Sequence, residues 1–377
     1  MHIPFNKVYL TSKEETYIAN ALKGAGLTGC GNYTSGCKAS LIKRYGFGNL
    51  HLTTSCTAAL ETAALLLNLQ AGDEVIIPSY TFVSTANAFA LRGAKIVFAD
   101  SGKDNPNMDA EAIEALITPR TKAIVPVHYG GVACDMDKIS ALAKKYNLSV
   151  VEDAAHSIDA YYNNRPLGSL GDMATFSFHE TKNITCGEGG ALVITNTKYA
   201  EAAEMILDKG TNRKAFAEGK TDKYEWVGLG SSYRMSELSA AFLLAQLEAT
   251  DTVQKIRTSL WNAYYEGLKT LDLNDLFSLP VVPNYARHNA SVFYMVCASQ
   301  VLRDKLINGL SNAGINAAFH YQPLHLSPFY KSLQNKSVVL ANAEKYGSCL
   351  LRLPLHANLN NSDVDYVIQE IRKITAN

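Results

Sequence analysis

The fold prediction for this chain rests on residues 151–196, VEDAAHSIDAYYNNRPLGSLGDMATFSFHETKNITCGEGGALVITN. An apolar run over residues 148–154 predicts a strand that ends in two adjacent acids, the second of which is Asp153. Two further predicted strands follow, and Lys182 lies among small residues near the junction between them. Because successive side chains of a strand point to opposite faces, one of the two acids must face inward, where a buried charge needs a partner.

Upstream of this stretch, short apolar runs alternate with segments of helical periodicity. Strands that alternate with helices predict βαβ units and a largely parallel sheet that is covered on both faces. The predicted strands are NLHLTTS (49–55), DEVIIPS (73–79), AKIVFAD (94–100) and TKAIVPV (121–127), and the predicted helices are CTAALETAALLLNL (56–69), TFVSTANAFALRG (81–93), MDAEAIEALI (108–117) and DMDKISALAKKYN (135–147).

The pattern changes in the C-terminal third of the chain. Residues 228–269 predict a turn and then a long helix with a break near Thr250. Beyond residue 275, short apolar strands and two helical segments predict a smaller α+β domain. We therefore predict an α/β protein with a large domain over residues 1–250 and a small C-terminal α+β domain over residues 251–377.

Composition excludes several classes of function. The 377 residues include 35 basic and 35 acidic side chains, so the net charge is zero and no basic nucleic-acid-binding surface is expected. No apolar run reaches the roughly 18 residues of a membrane helix, and the N-terminus becomes polar too soon for a secretory signal. Seven cysteines without a CxxC pair favour neither disulfides nor a metal site. We expect a reduced, cytoplasmic protein whose partners are small molecules.

Hydroxyl and thiol residues, Ser55, Cys56 and Thr57, lie where the first predicted strand passes into a helix. The first N–H groups of a helix favour an anion, and a phosphate is a common one. Simple capping of the helix by a hydroxyl group is an equally good interpretation of this stretch alone. The chain has no GxxxxGK[ST] motif and no well-formed GxGxxG motif, so ATP and dinucleotides are poorly supported.

Three further residues complete a cofactor hypothesis. Ligands of open α/β sheets bind at the carboxyl ends of the strands, where Phe82 could stack on a ring and Asp153 could pair with a ring nitrogen. Each residue also has an ordinary interpretation. Phe82 could be a core aromatic residue, Asp153 a helix-capping or salt-bridged acid, and Lys182 a solvated surface lysine. Together with an anion site they match the needs of pyridoxal 5'-phosphate (PLP), which requires a phosphate cradle, an acid and a lysine.

The same residues carry a family resemblance that extends over nearly the whole chain. Residues 151–196, TTSCTAALETAALLL (53–67), FHYQPLH (319–325) and LRLPL (351–355) resemble the DegT-type nucleotide-sugar aminotransferases. That family has the aspartate-aminotransferase fold (PLP fold type I). Residues 209–248 look most like the members that aminate dTDP-4-keto-6-deoxy-D-glucose.

The resemblance implies a role for each cofactor residue. Lys182 would bond covalently to PLP, Asp153 would pair with the pyridine nitrogen, and Phe82 would cover one face of the ring. His156 would lie near the phenolic oxygen, although a histidine at such a position is more often a packed or capping residue. The residues implied to hold the phosphate are Ser55, Cys56, Thr57 and Ser177.

The resemblance also implies a homodimer with active sites at the interface. Many members carry an asparagine in a GxNYRM motif that reaches the neighbouring subunit's phosphate, and here Ser232 stands in its place. A serine hydroxyl can still donate to phosphate, but over a shorter reach. The residues we expect to contact the sugar nucleotide are Arg213, His320, Tyr321 and His325, each of which could instead be a surface or interdomain residue.

By resemblance, L-glutamate would be the amino donor and dTDP-4-amino-4,6-dideoxy-D-galactose the product. Amination at C3, or of a UDP- or GDP-linked keto-sugar, is the main alternative. Related sugar dehydratases have histidine where Lys182 stands, and a catalytically silent PLP-fold binding protein should have lost Lys182 or Asp153. A dehydrogenase would need the glycine fingerprint that is missing here.

Overall fold

A computed structural model describes residues 2–24, 26–333 and 338–376. Seven of its strands form one large sheet, and the others form two small three-stranded sheets. In chain order the strands are β1 (Asn49–Thr53), β2 (Glu74–Pro78), β3 (Lys95–Ala99), β4 (Thr121–Ile124), β5 (Ser149–Asp153), β6 (Tyr161–Tyr162), β7 (Arg165–Pro166), β8 (Met173–Ser177), β9 (Gly190–Ile194), β10 (Phe277–Ser278), β11 (Ala286–Arg287), β12 (Phe293–Cys297) and β13 (Leu350–Leu353).

The large sheet has the strand order β1-β9-β8-β5-β4-β2-β3. Its pairings are parallel from β3 through to β8, and β9 is antiparallel to both of its neighbours, β8 and β1. Strands β2, β8 and β9 are buried along their whole length, as expected for a sheet covered on both faces. The predicted, mostly parallel α/β sheet is confirmed.

Helices cover the sheet and build the C-terminal part of the chain. Helix α3 packs against β8 and β9, and α8 packs against α1 and α2. The helices are α1 (Glu14–Leu22), α2 (Asn32–Tyr45), α3 (Cys56–Leu66), α4 (Val83–Ala90), α5 (Met136–Tyr146), α6 (Ala200–Leu207), α7 (Arg213–Ala217), α8 (Glu237–Glu248), α9 (Thr250–Lys269), α10 (Gln300–Asn312), α11 (Pro328–Leu333), α12 (Ala341–Cys349) and α13 (Asn361–Ala376).

The prediction of a helix over residues 108–117 is wrong. The segment forms turns and a single 3-10 turn at Glu114–Leu116. The Asp109 side chain accepts a hydrogen bond from the Glu111 N–H at 3.0 Å, which offers the backbone a turn in place of a helix. Its apolar residues are buried nevertheless, since Ile113 packs into the core on one side of the sheet.

The predicted break near Thr250 is confirmed, because α8 ends at Glu248 and α9 begins at Thr250. Helix α9 then connects two cores. Val253 near its start packs with residues of the large sheet, whereas Leu260 and Trp261 pack around the sheet β10-β12-β13. The division of the chain at residue 250 stays a prediction.

None of the helices in the described part of the chain combines the length and the apolar character that a bilayer span requires.

The strand register fixes which residues meet at the carboxyl edge of the large sheet. Thr53 of β1 and Ser177 of β8 both pair with Gly190 of β9, so the three residues lie in one row. Asp153 ends the parallel strand β5 beside β8. The strand ends that the sequence analysis singled out therefore share one edge of the sheet.

Candidate active site

A cavity of about 760 Å³ opens at this edge, between the large sheet and the C-terminal part of the chain. Its walls come from residues far apart in sequence, between Phe5 and Leu355. The predicted site residues that line it are Ser55, Cys56, Thr57, Phe82, Asp153, His156, Ser177, Lys182, His320 and Tyr321.

The start of helix α3 forms one wall of the cavity. Ser55 caps the helix, and its Oγ accepts a hydrogen bond from the Ala58 N–H at 3.0 Å. Thr57 Oγ1 donates to Ser84 Oγ at 2.8 Å, which ties α3 to α4. The first N–H groups of a helix have no intrahelical acceptors, so this wall can bind an anion.

Gly190 allows the sheet to approach this helix start closely. A Cβ atom at Gly190 would lie 2.4 Å from the Ser55 carbonyl carbon and 2.5 Å from the Cys56 nitrogen. Such distances are far below van der Waals contact, so a side chain here would push α3 away from Ser177. The sequence analysis missed this role, for which the run of glycines in CGEGGA is the signal.

Asp153 projects into the cavity from the end of β5 and is 5% exposed. Its Oδ2 accepts a hydrogen bond from Thr85 Oγ1 at 2.8 Å, and its Oδ1 accepts one from the Ala155 N–H at 3.1 Å. Burial raises the pKa of Asp153, and these two donors partly offset the rise. The carboxylate keeps capacity for a cation, such as the protonated ring nitrogen of PLP.

Lys182 lies in the loop between β8 and β9. Backbone hydrogen bonds close this loop, including those from the Cys186 N–H to the Phe178 carbonyl and from the Lys182 N–H to the His179 carbonyl, both 2.9 Å. Burial lowers the pKa of Lys182 to about 8, and the charge of Asp153 opposes this only in part. A lysine with this pKa is partly neutral near pH 7 and can act as a nucleophile.

The hydrogen bonds of His156 require an uncharged imidazole ring. Its Nδ1 accepts from the Gly130 N–H at 3.1 Å, so the proton of the neutral ring is on Nε2. Burial lowers the pKa of His156 well below its usual value. The ring stacks on His320, whose Nδ1 is 2.6 Å from the Tyr129 hydroxyl. The cavity thus has an uncharged imidazole wall.

Aromatic rings form the rest of this wall. Phe82 is 56% exposed at the start of α4, and its ring centroid lies 6.2 Å from that of Tyr321. Tyr321 in turn stacks on His320 with 3.6 Å between centroids. An exposed aromatic ring at the edge of a cavity can cover a flat ligand.

Three predicted residues do not line the cavity within this chain. His325 is buried, with Nδ1 2.6 Å from Ser79 Oγ and Nε2 3.2 Å from Glu344 Oε1. Arg213 is largely exposed at the start of α7, and Ser232 is exposed on the segment before α8. Their roles in binding the sugar nucleotide or the neighbouring phosphate stay predictions.

Among the lining residues that the sequence analysis missed, two bear directly on the chemistry of the cavity. Thr85 bonds to Asp153 from the first turn of α4, and helical periodicity alone does not distinguish this position from its neighbours. Arg352 on β13 enters the cavity from the C-terminal sheet. Its signal is a single charged residue inside the apolar run LLRLPL.

Within the described residues, no group of three or more histidine, cysteine, aspartate or glutamate side chains is arranged to hold a metal ion. The residues present do fit PLP. The helix start beside Gly190 can hold a phosphate, the buried Asp153 can hold a ring cation, and Lys182 can react with an aldehyde.

Comparison with known proteins agrees with the assignment of these residues to a PLP site. A family model for the DegT/DnrJ/EryC1/StrS aminotransferases matches residues 9–372. The chain belongs to that family. An uncharacterized protein of Methanocaldococcus jannaschii is 35% identical to it over 329 residues, which are 85% of this chain and 84% of that protein. The chain is therefore a PLP-dependent aminotransferase.

Solved structures of similar proteins show the same fold. Spr1654 of Streptococcus pneumoniae, assigned as a sugar aminotransferase, has in its PLP form a TM-score of 0.91 and 25% identity, covering 100% of this chain and 99% of that one. DesV of S. venezuelae, solved with a ketimine intermediate, has a TM-score of 0.90 and 30% identity, covering 99% and 98%. The predicted aminotransferase fold is confirmed.

Proposed function

We propose that this aminotransferase acts on a nucleotide-linked keto-sugar and that its substrate is dTDP-4-keto-6-deoxy-D-glucose, with L-glutamate as the amino donor. The similarity to Spr1654 supports a sugar substrate. The pattern of residues 209–248 supports the dTDP-linked 4-keto-sugar. The single observation that carries the chemistry is that Asp153 and Lys182 line one cavity together with the start of α3.

PLP, when bound, supplies an electron sink that lets the donor lose its α-proton. The protein supplies the groups that hold and move protons. Lys182, with a pKa of about 8, can take a proton at Nζ from one carbon held beside it and deliver it to a second carbon within the same half-reaction. Positioned proton transfer of this kind contributes roughly 10²–10⁴-fold to the rate.

Asp153 and His156 orient and tune the site. The Asp153 carboxylate, fixed by Thr85, can hold a ring nitrogen in its protonated form. His156 presents an Nε2–H, since its Nδ1 is occupied by the Gly130 N–H, and this donor can bind a phenolic oxygen. The stacked imidazole and phenol rings of His320 and Tyr321 line the cavity and give it an apolar surface.

We further propose a homodimer in which each cavity is completed by the partner. Exposed apolar side chains precede Ser232 in sequence, and among them Trp226 is 78% exposed. Exposed large apolar groups in one segment indicate a protein interface.

All seven cysteines are free, which supports a reducing, cytoplasmic location.

Two measurements test the proposed function. The purified protein with PLP should show a yellow absorbance band, borohydride should fix the cofactor on Lys182, and the Lys182→Ala protein should stay folded but colourless. Incubation with glutamate and dTDP-, UDP- or GDP-linked keto-sugars, followed by NMR of the products, should show amination at C4 of the dTDP sugar. Turnover of a 3-keto-sugar alone would reject the proposed position of amination.

A further inference from the structure

Tyr129 supports one wall of the cavity without lining it. It is buried in the 3-10 turn Tyr129–Gly131, and its hydroxyl oxygen lies 2.6 Å from Nδ1 of His320, which does line the cavity. We propose that Tyr129 is a positioning residue: its hydroxyl donates to His320 Nδ1, which keeps the imidazole proton on Nε2, and this N–H donates to an oxygen of the keto-sugar. The last step of the inference rests on the proposed function.

The direction of this hydrogen bond follows from the partners that each group has. Among the described residues, His320 Nδ1 is the only hydrogen-bond partner of the Tyr129 hydroxyl. The Tyr80 ring packs beside it, with centroids 5.6 Å apart, but the Tyr80 hydroxyl makes no hydrogen bond within the described part of the chain. If Nδ1 carried the imidazole proton, the buried phenol proton of Tyr129 would have no acceptor, which is costly. The phenol is therefore the donor.

Burial keeps both partners of this bond uncharged. It raises the pKa of the Tyr129 hydroxyl well above its usual value, and it lowers the pKa of His320 well below its usual value. The positive charges of Arg352 and Lys182 act on the pKa of His320 in the same direction as burial. A neutral imidazole has one N–H and one bare nitrogen, so a donor at Nδ1 leaves the proton on Nε2.

The same turn holds the second histidine of the cavity in the same tautomer. The Gly130 N–H donates to His156 Nδ1 at 3.1 Å, so two successive residues donate to the Nδ1 atoms of the two rings. The rings of His156 and His320 are stacked, with centroids 6.0 Å apart and 18° between their planes. The turn is itself fixed, because the Tyr129 N–H donates to Asn107 Oδ1 at 2.8 Å. One fixed turn therefore sets the tautomer of both histidines.

The tautomer decides what the edge of the His320 ring can bind. With the proton on Nε2 the ring donates a hydrogen bond to an oxygen, whereas a bare Nε2 would repel that oxygen. The cofactor already has partners for its phosphate, ring nitrogen and phenolic oxygen in the start of α3, Asp153 and His156, so the His320 donor is left for a substrate. The keto-sugar carries carbonyl and hydroxyl oxygens, and an uncharged N–H can polarise a carbonyl.

The position of the imidazole proton can be measured directly. Solid-state ¹⁵N NMR of PLP-loaded protein, labelled on its histidine ring nitrogens, distinguishes an N–H from a bare nitrogen. The signals of His320 are those that disappear in His320→Gln. In the wild type, His320 should carry its proton on Nε2. In Tyr129→Phe, which keeps the ring and loses the hydroxyl, both tautomers of His320 should be populated.

Half-reactions separate the sugar from the amino donor. The sugar half-reaction is followed as return of the PLP absorbance when the amine-form enzyme receives dTDP-4-keto-6-deoxy-D-glucose. The donor half-reaction is followed as loss of that absorbance on adding L-glutamate, with no sugar present. Tyr129→Phe should lower kcat/KM of the sugar half-reaction roughly 3- to 10-fold, the effect of losing one neutral hydrogen bond, and leave the donor half-reaction unchanged within about twofold.

A double-mutant cycle separates positioning from general support of the fold. In the His320→Gln background, Tyr129→Phe should change the sugar half-reaction by no more than about twofold, because Tyr129 acts through the imidazole. Tyr346→Phe is the matched control, since Tyr346 is buried in the same core and its hydroxyl donates to the carbonyls of Gly102 and Lys103. It should lower Tm but leave the tautomer of His320 and both half-reactions unchanged.

The outcomes distinguish the inference from the proposed function. A wild-type His320 with its proton on Nδ1 would overturn the inference, as would an unchanged tautomer or an unchanged sugar half-reaction in Tyr129→Phe. Equal loss in both half-reactions, or an effect of Tyr129→Phe that persists in His320→Gln, would make the role of Tyr129 structural and also overturn it. If the wild type aminates no sugar, the proposed function fails, while the NMR spectra still decide whether Tyr129 fixes the tautomer of His320.

Discussion

Replacing Thr85 with valine isolates the control that α4 exerts on Asp153. Valine has nearly the shape of threonine but cannot donate the 2.8 Å hydrogen bond to Asp153 Oδ2. A hydrogen bond to a charged group contributes about 1.5–3 kcal/mol, and one pKa unit corresponds to about 1.4 kcal/mol. Because Thr85 stabilises the ionised carboxylate, its loss should raise the pKa of Asp153 further.

The assay is the affinity for pyridoxamine phosphate as a function of pH, because that ligand cannot bond covalently to Lys182. Binding to the ring cation needs an ionised Asp153, so affinity falls as the pH drops through the pKa of Asp153 in the free protein. In Thr85→Val the fall should begin at a higher pH, and on the falling part of the curve the affinity should be roughly 10- to 100-fold below that of the wild type, whereas Thr85→Ser should behave as the wild type.

Thr62→Val is a matched control, since Thr62 is a fully buried threonine whose Oγ1 donates only to the Ala58 carbonyl within α3. It should leave the pH dependence of pyridoxamine phosphate binding unchanged. If Thr85→Val and the wild type lose affinity at the same pH, Thr85 does not tune Asp153 and the electrostatic reasoning for this site is wrong.

Three further variants or conditions test other parts of the site. The rate at which PLP bonds to Lys182 in the apo-protein should rise with pH to a plateau, with a midpoint near pH 8, because only the neutral amine reacts. A midpoint near pH 10.5 would show that burial does not lower the pKa of Lys182. Gly190→Ala should weaken PLP binding and lower both Tm and the free energy of unfolding, the latter by about 1–3 kcal/mol, because the added Cβ would collide with Ser55. The control Gly48→Ala, where a Cβ would meet no other atom, should change neither PLP binding nor Tm. His325→Phe should lower Tm, because it removes the hydrogen bonds to Ser79 and Glu344, and it should leave the absorbance spectrum of bound PLP unchanged. If the variant instead raises KM for the sugar nucleotide without lowering Tm, His325 binds the substrate.

Strand and helix periodicity sufficed to predict the large sheet, because its strands are continuous apolar runs that end in polar residues. The two acids at the end of β5 show the limit of that reasoning. The sequence indicates that one of them faces inward, yet both Glu152 and Asp153 are buried. A parallel sheet has helices on both faces, so each side of the strand end is covered.

Contacts that join distant segments could not be predicted from local pattern. The approach of Gly190 to Ser55 depends on strand register, and the entry of Arg352 depends on how the C-terminal sheet packs against the large one. The position of His325 in FHYQPLH indicates a ligand contact, whereas in the structure its side chain is bonded to Ser79 and Glu344 and does not line the cavity, so its role in binding the sugar nucleotide stays a prediction. Sequence proximity to a site residue does not determine on which side of the backbone a side chain points.

The two adjacent acids also show how the protein separates a structural charge from a functional one. Glu152 is fully satisfied by the protein: it pairs with His128 Nε2 at 3.0 Å and accepts the N–H groups of Gly168, Leu170 and Gly171. Asp153, by contrast, receives only two donors and keeps acceptor capacity within the cavity. A buried charge with few partners destabilises the ligand-free fold, and a ligand that supplies the missing partner returns that free energy on binding. Cofactor binding should therefore stabilise this protein by more than its contact area alone would give, because it neutralises Asp153 as well as burying apolar surface.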